Sequence, residues 1–266
     1  MEISKDFSKR VYEDGLSAVE DFNHPCRPMV DWQKENGFDI FQLPEPFSGA
    51  KSDLNIAFVG LNPSISHSTT IPKATFNSTF EAYDKFYRDR FEFGPRGPKG
   101  KLLENVTLWD NIEYFGNTYL SELVTGQFRI GVNASLIEVV RYKSTEGWLG
   151  STGLERRAIL EHQRVFSQSL LEDSGCRILV PMGVKAIRQV NDLLTFRKPI
   201  PCRVKDSIGQ LYVGETRKGA ELFVCPIKHM SYHTTKENSA AVARQIKTAY
   251  ELSQRAGAPR HLTDRR

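Results

Sequence analysis

Amide and imidazole side chains recur just after short apolar runs in this chain, a placement that suits chemistry on a bound ligand. Ile56-Ala57-Phe58-Val59 runs into Gly60-Leu61-Asn62-Pro63-Ser64, and Arg129-Ile130-Gly131-Val132 runs into Asn133. Arg177-Ile178-Leu179-Val180 leads to Pro181-Met182-Gly183, with Lys185 close behind. Glu221-Leu222-Phe223-Val224-Cys225 leads through Pro226 to His229-Met230-Ser231-Tyr232-His233. A carboxamide donates and accepts hydrogen bonds but cannot take up a full proton, so Asn62 or Asn133 can orient a water or read a polar edge. His229 can donate to an atom that gathers negative charge. Gly183 lets backbone approach a ligand closely. The chain contains neither the Gly-x-x-x-x-Gly-Lys phosphate loop nor the Gly-x-Ser-x-Gly nucleophile elbow.

These runs have the length and continuity of buried parallel strands. Ligands of open α/β sheets bind beyond the carboxyl ends of such strands, so four tips carrying Asn62, Asn133, Gly183 and His229 can share one crevice. Between them lie helical stretches: Leu102 to Leu123 in part, with Trp109 and Phe115 as core anchors; Leu154 to Leu171; Ala186 to Leu194; and Ser239 to Ser253. Arg203 to Val224 reads as short strands with turns at Gly209 and Gly219. The expected fold is α/β, a three-layer αβα arrangement around a mostly parallel sheet of about four strands. Residues 1–50 read as an arm packed on the core, where Tyr12, Leu16, Val19 and Phe22 recur at helical spacing, and residues 51–266 as a single domain.

The four tips together resemble the uracil-DNA glycosylase superfamily. Gly60-Leu61-Asn62-Pro63-Ser64 is similar to its first motif, nearest the Gly-x-Asn-Pro-Gly form of the mismatch-specific and single-strand-selective branches. Val132-Asn133-Ala134-Ser135-Leu136 looks like the strand whose Asn reads the pyrimidine edge. Pro181-Met182-Gly183 resembles the turn that meets a DNA phosphate, and His229-Met230-Ser231-Tyr232-His233 resembles the His-Pro-Ser-Pro-Leu motif. Met230 departs from the usual Pro, and Ser64 from the usual Gly or Tyr.

The resemblance implies a DNA glycosylase of the uracil type. In it Asn62 positions water, His229 stabilises the departing base and Asn133 reads that base. Phe76 or Phe80 stacks on the flipped base. Gly183, Lys185 and Ser231 hold phosphates, and Tyr232 or His233 acts as a wedge in the stack. Ser64 replaces a Tyr that blocks the pyrimidine 5-position in the strict branch, so 5-substituted uracils are expected to fit. A non-catalytic nucleic-acid-binding module on the same fold and a hydrolase or transferase of free nucleosides or nucleotides stand as alternatives.

Composition fits a folded protein with 39% hydrophobic and 26% charged residues. The net charge of +4 permits DNA binding through a local patch without demanding it. Gly94-Pro95-Arg96-Gly97-Pro98-Lys99-Gly100-Lys101 is a cationic loop in which Arg96 and Lys99 can track a DNA backbone or merely solubilise. No apolar run is long enough to span a bilayer, and the N-terminal stretch lacks a signal-peptide pattern, so a cytoplasmic location, nucleoid or nucleus included, is expected; a monomer is expected as well. Cys26, Cys176, Cys202 and Cys225 show no Cys-x-x-Cys spacing; reduced structural thiols, no metal and no cofactor are expected. His24 and His162 read as a loop and a solvent-facing residue.

Overall fold

The computed structural model describes residues 1–38, 41–61, 63, 77–91, 107–144, 153–200, 210–230 and 236–257. Two helices lead the chain, α1 (Lys5–Glu20) and α2 (Arg27–Glu35). Then come β1 (Ile56–Gly60), α3 (Phe80–Asp89), α4 (Thr107–Tyr119), β2 (Ala134–Glu138), α5 (Gly153–Asp173), β3 (Ile178–Pro181) and α6 (Val184–Leu193). A hairpin and a last helix follow: β4 (Phe196–Pro199), β5 (Tyr212–Glu215), β6 (Glu221–Val224) and α7 (Lys236–Gly257). Side-chain caps start two of the helices: Ser4 accepts from the Phe7 amide and Thr79 from the Ala82 amide.

The strands form one six-stranded sheet in the order β2-β1-β3-β6-β5-β4. The first four are parallel, and β5 and β4 extend the sheet antiparallel. The sheet is thus longer than the expected four strands, because Phe196–Pro199 pairs with β5 at its far edge. All residues of β1, β2 and β3 are buried, as strands covered on both faces must be. Alternation divides them. Ala57, Val59, Ile137, Leu179, Leu222 and Val224 face a core built with α1, α2, α3, α5 and α6. Ile56, Phe58, Leu136, Ile178, Val180 and Phe223 face a second core built with α4 and α7.

Ile3, Phe7, Val11, Leu43 and Phe47 belong to the first core, so residues 1–50 complete it. Of the expected arm face, Tyr12, Leu16 and Val19 pack against that core, but Phe22 is 78% exposed, with Arg27 over its ring. The arm also lies along β2: Ser48 and Leu136 exchange both backbone hydrogen bonds, at 2.7 and 2.9 Å.

The strand expected over Phe128–Asn133 is corrected. Arg129–Asn133 is a turn that precedes β2, with Gly131 at φ +84°. The Asn133 amide donates to the Arg129 carbonyl, and its side-chain oxygen accepts from the Arg129 amide. Phe128 and Ile130 are buried with Arg129 exposed between them, an alternation that imitates a strand until Val132, which is exposed. A positive-φ glycine and an Asx side chain closing on its own backbone turn the chain instead.

Candidate functional site

The parallel part of the sheet places its chemistry at the carboxyl edge. β1 is flanked by β2 on one side and β3 on the other, so the chain reverses direction across the sheet beside β1. In open α/β sheets ligands bind beyond the carboxyl ends of the strands at such a switch point, here the tips of β1 and β3. The β1 tip is held by its neighbour: the amides of Val139 and Val140 donate to Gly60 and Leu61, and that of Ser144 to Pro63.

On the other side of β1, the Met182 amide donates to the Val59 carbonyl, while Gly183 and Ile227 tie the β3 and β6 tips together. Gly183 sits at φ +86°, ψ +162° before the first turn of α6 and supplies no side-chain cap. The strain any side chain would meet there explains the glycine. A Cβ on Gly183 would lie 3.6 Å from that of His229, so the His229 side chain stands directly beside the turn. Burial holds the half-buried His229 below the ordinary histidine pKa, which leaves a neutral imidazole at neutral pH. Met230 is buried in the second core, and its carbonyl accepts from Asn111 of α4. The departure from proline thus supplies an apolar anchor for the His229 loop.

Glu138, the last residue of β2, was missed by the sequence reading. It lies in register with Gly60, and a Cβ on Gly60 would meet its carboxyl oxygen at 2.1 Å. The absent side chain at Gly60 therefore makes room for this carboxyl group. Glu138 is 6% exposed, and its Oε2 has no hydrogen-bond partner among the described residues. Nearby Glu45 is paired with Arg90: Arg90 Nη1 lies 3.2 Å from Glu45 Oε2, with the guanidinium 4.2 Å from the centre of the Trp109 ring. Burial, then the charge of Glu45, push the Glu138 carboxyl well above the usual range, against the opposing pull of Arg141. Burial thus favours the protonated carboxyl group, which has one donor and one acceptor. Its sequence signal was slight: one acid inside Leu136-Ile137-Glu138-Val139-Val140.

The expected site residues divide. Gly183, exposed Lys185 and His229 come together at the β3 and β6 tips. Asn133 does not join them. It precedes Ala134, which is in register with Ile56, so it lies at the amino edge of the sheet with its side chain spent on Arg129. Phe80 is likewise displaced. It opens α3 and packs against the first core, its ring 5.7 Å from that of Tyr12 and below Lys5, whereas Glu138 follows Leu136 on the opposite face. Asn62, Ser64, Phe76, Arg96, Lys99, Ser231, Tyr232 and His233 lie outside the described residues.

At the contact of α1 with α5, His24 lies in the expected loop, whereas the His162 side chain is only 26% exposed rather than solvent-facing. His24 and His162 both hold Asp14, with Nε2 to Oδ1 distances of 3.2 and 2.5 Å. No protein-family model matches the chain, and no curated protein matches it.

Proposed function

We propose that this protein is a DNA glycosylase that hydrolyses the N-glycosidic bond of uracil or a related pyrimidine. The observation that carries the reading is the neutral His229 set against the Gly183 turn at the switch point. As the glycosidic bond lengthens, the sugar becomes cationic and the pyrimidine gathers negative charge on O2. His229 donates a hydrogen bond to that oxygen, and a fixed donor of this kind is worth roughly 3 kcal/mol in the transition state. Asn62, after the β1 tip, orients the attacking water by hydrogen bonding rather than by full deprotonation. The amides that open α6 after Gly183, with Lys185, suit a flanking phosphate.

The base is read at β2 by Glu138 rather than by Asn133. A neutral carboxyl group presents a hydroxyl donor beside a carbonyl acceptor, the complement of the imide N–H and carbonyl of uracil.

The test is incubation with oligonucleotides that each carry one lesion, followed by alkali. Strand cleavage at an abasic site is expected with uracil and, given Ser64, with 5-hydroxymethyluracil. Asn62→Ala is expected to lose most turnover while keeping DNA affinity. Binding without cleavage across the whole panel would identify a nucleic-acid-binding module instead. Release of base from free nucleosides but not from DNA would identify a nucleoside hydrolase.

A further inference from the structure

The contact between the N-terminal helices and α5 gathers nitrogen, sulfur and oxygen donors from three separate segments. Asp14 comes from α1, His24 and Cys26 from the link to α2, and His162 from α5. The ligand atoms of His24, Cys26 and His162 all lie within 4.8 Å of one another. Asp14 Oδ1 adjoins Nε2 of both histidines, and the side chains of Asp14 and His24 are 7% and 9% exposed. We propose that His24, Cys26 and His162, completed by the carboxylate of Asp14, bind one divalent first-row cation, zinc above all.

The donor set suits that ion. Two imidazoles, a thiolate and a carboxylate are ligands of four-coordinate zinc. Bonds of about 2.0–2.2 Å to nitrogen and oxygen in a tetrahedron place those ligand atoms roughly 3.3 Å apart. The His24–Asp14 separation of 3.2 Å already matches, and the His162–Asp14 separation of 2.5 Å must open by less than 1 Å. A divalent ion with one thiolate, one carboxylate and two neutral imidazoles carries no net charge, which suits a buried position. The thiol proton passes to solvent on binding. Ligation through His24 Nε2 places that ring's remaining proton on Nδ1 and gives up the Cys26 amide contact, a single hydrogen bond.

Outer partners that would orient the ligands are present. The Tyr142 hydroxyl donates to Asp14 Oδ2 at 2.9 Å, and Gln163 Nε2 lies 3.6 Å from Cys26 Sγ. A cavity of about 400 Å³, lined in part by Arg10, Glu13, Asp14 and His24, gives an ion a route to the group. Four protein ligands leave no open position, so the ion would staple α1 and the α2 link to α5 rather than perform chemistry.

The test uses the full chain without a histidine tag, stripped with a chelator and titrated with Co²⁺. One equivalent is expected to give the intense visible bands of four-coordinate cobalt and a thiolate-to-cobalt band in the near ultraviolet, both abolished by one equivalent of Zn²⁺. Cys26→Ser should lose the thiolate band, and His162→Ala should bind at least tenfold more weakly. Zn²⁺ should raise the melting temperature of wild type but not of His162→Ala. Cobalt spectra of wild type that lack either feature overturn the proposal even if neither variant folds. Features that survive unchanged in Cys26→Ser and His162→Ala place the ion elsewhere and overturn it equally.

Discussion

Two buried carboxyl groups, Glu138 at the β2 tip and Asp14 in α1, show opposite solutions to the same cost. The residue Glu138 is 6% exposed and the side chain of Asp14 7%. Glu138 leaves an oxygen without a partner among the described residues, and its pKa is pushed up, toward the protonated form. Burial would raise Asp14 as well, but hydrogen bonds from His162, His24 and Tyr142, with the charge of His162, bring it down to about 2. Burial is common to the two sites, so partners decide the charge. A group that the fold satisfies contributes to holding the fold. One left unsatisfied remains available to a ligand, as an apolar-walled acid does when it must donate.

The contrast breaks most sharply at Asp14. Asp14→Ala should cost about 3–5 kcal/mol of folding stability, the scale for removing one partner from a buried charged group. Denaturant unfolding reads this directly, and a loss under 1 kcal/mol would show that the histidines do not depend on the carboxylate. His229→Ala is next, with single-turnover excision slowed by roughly 10²–10³ and DNA affinity kept. A mutant that binds DNA worse but excises at the wild-type rate would assign His229 to docking.

Glu138→Ala should slow excision by roughly 10–100-fold, as expected for the loss of one or two hydrogen bonds to the base. It should leave the protein folded, which is the reverse of the Asp14→Ala result. Equal loss of stability in the two variants would dissolve the distinction.

The smallest effect separates charge from shape. Glu138→Gln keeps a donor and an acceptor and should retain most activity. The folded-state pKa of Glu138 lies above its unfolded value of about 4.3. Between those values the folded protein holds the extra proton, so wild-type stability declines as pH rises through that window. Glu138→Gln does not titrate, and its stability relative to wild type should therefore increase from about pH 4 upward. Melting curves across pH that run parallel for the two proteins would show that Glu138 is ionised when folded.

What could be read in advance followed from how local each signal was. β1 and β3 announce themselves as apolar runs ended by Gly60 and by Pro181-Met182-Gly183, and α5 and α7 by their apolar spacing. Gly183 and His229 were legible for the same reason, since each follows its strand in the chain. Asn133 misled because an Asx turn after alternating Phe128 and Ile130 has the local composition of a strand end. Phe80 misled because a helix-opening aromatic does not reveal which layer it faces. Glu138 stayed hidden because a buried acid has meaning only beside Gly60 and Glu45, which the fold brings to it. Asp14 and His162 lie 148 positions apart, and no spacing rule connects them.

The pairing of Ser48 with β2 bears on the exposed edges of the sheet. The sheet has two outer strands, β2 and β4. β4 carries Arg197, Lys198 and Pro199, charges and a missing amide donor that discourage another strand from adding there. β2 carries Ala134-Ser135-Leu136-Ile137, with no such guard until Glu138, and relies on the arm to occupy its backbone at Leu136. Removing residues 1–50 would uncover a template for intermolecular pairing. The shortened chain is expected to scatter light and grow in size with concentration, whereas the full chain stays dispersed. The arm thus occupies, with its own backbone, the place at Leu136 where a second strand could add.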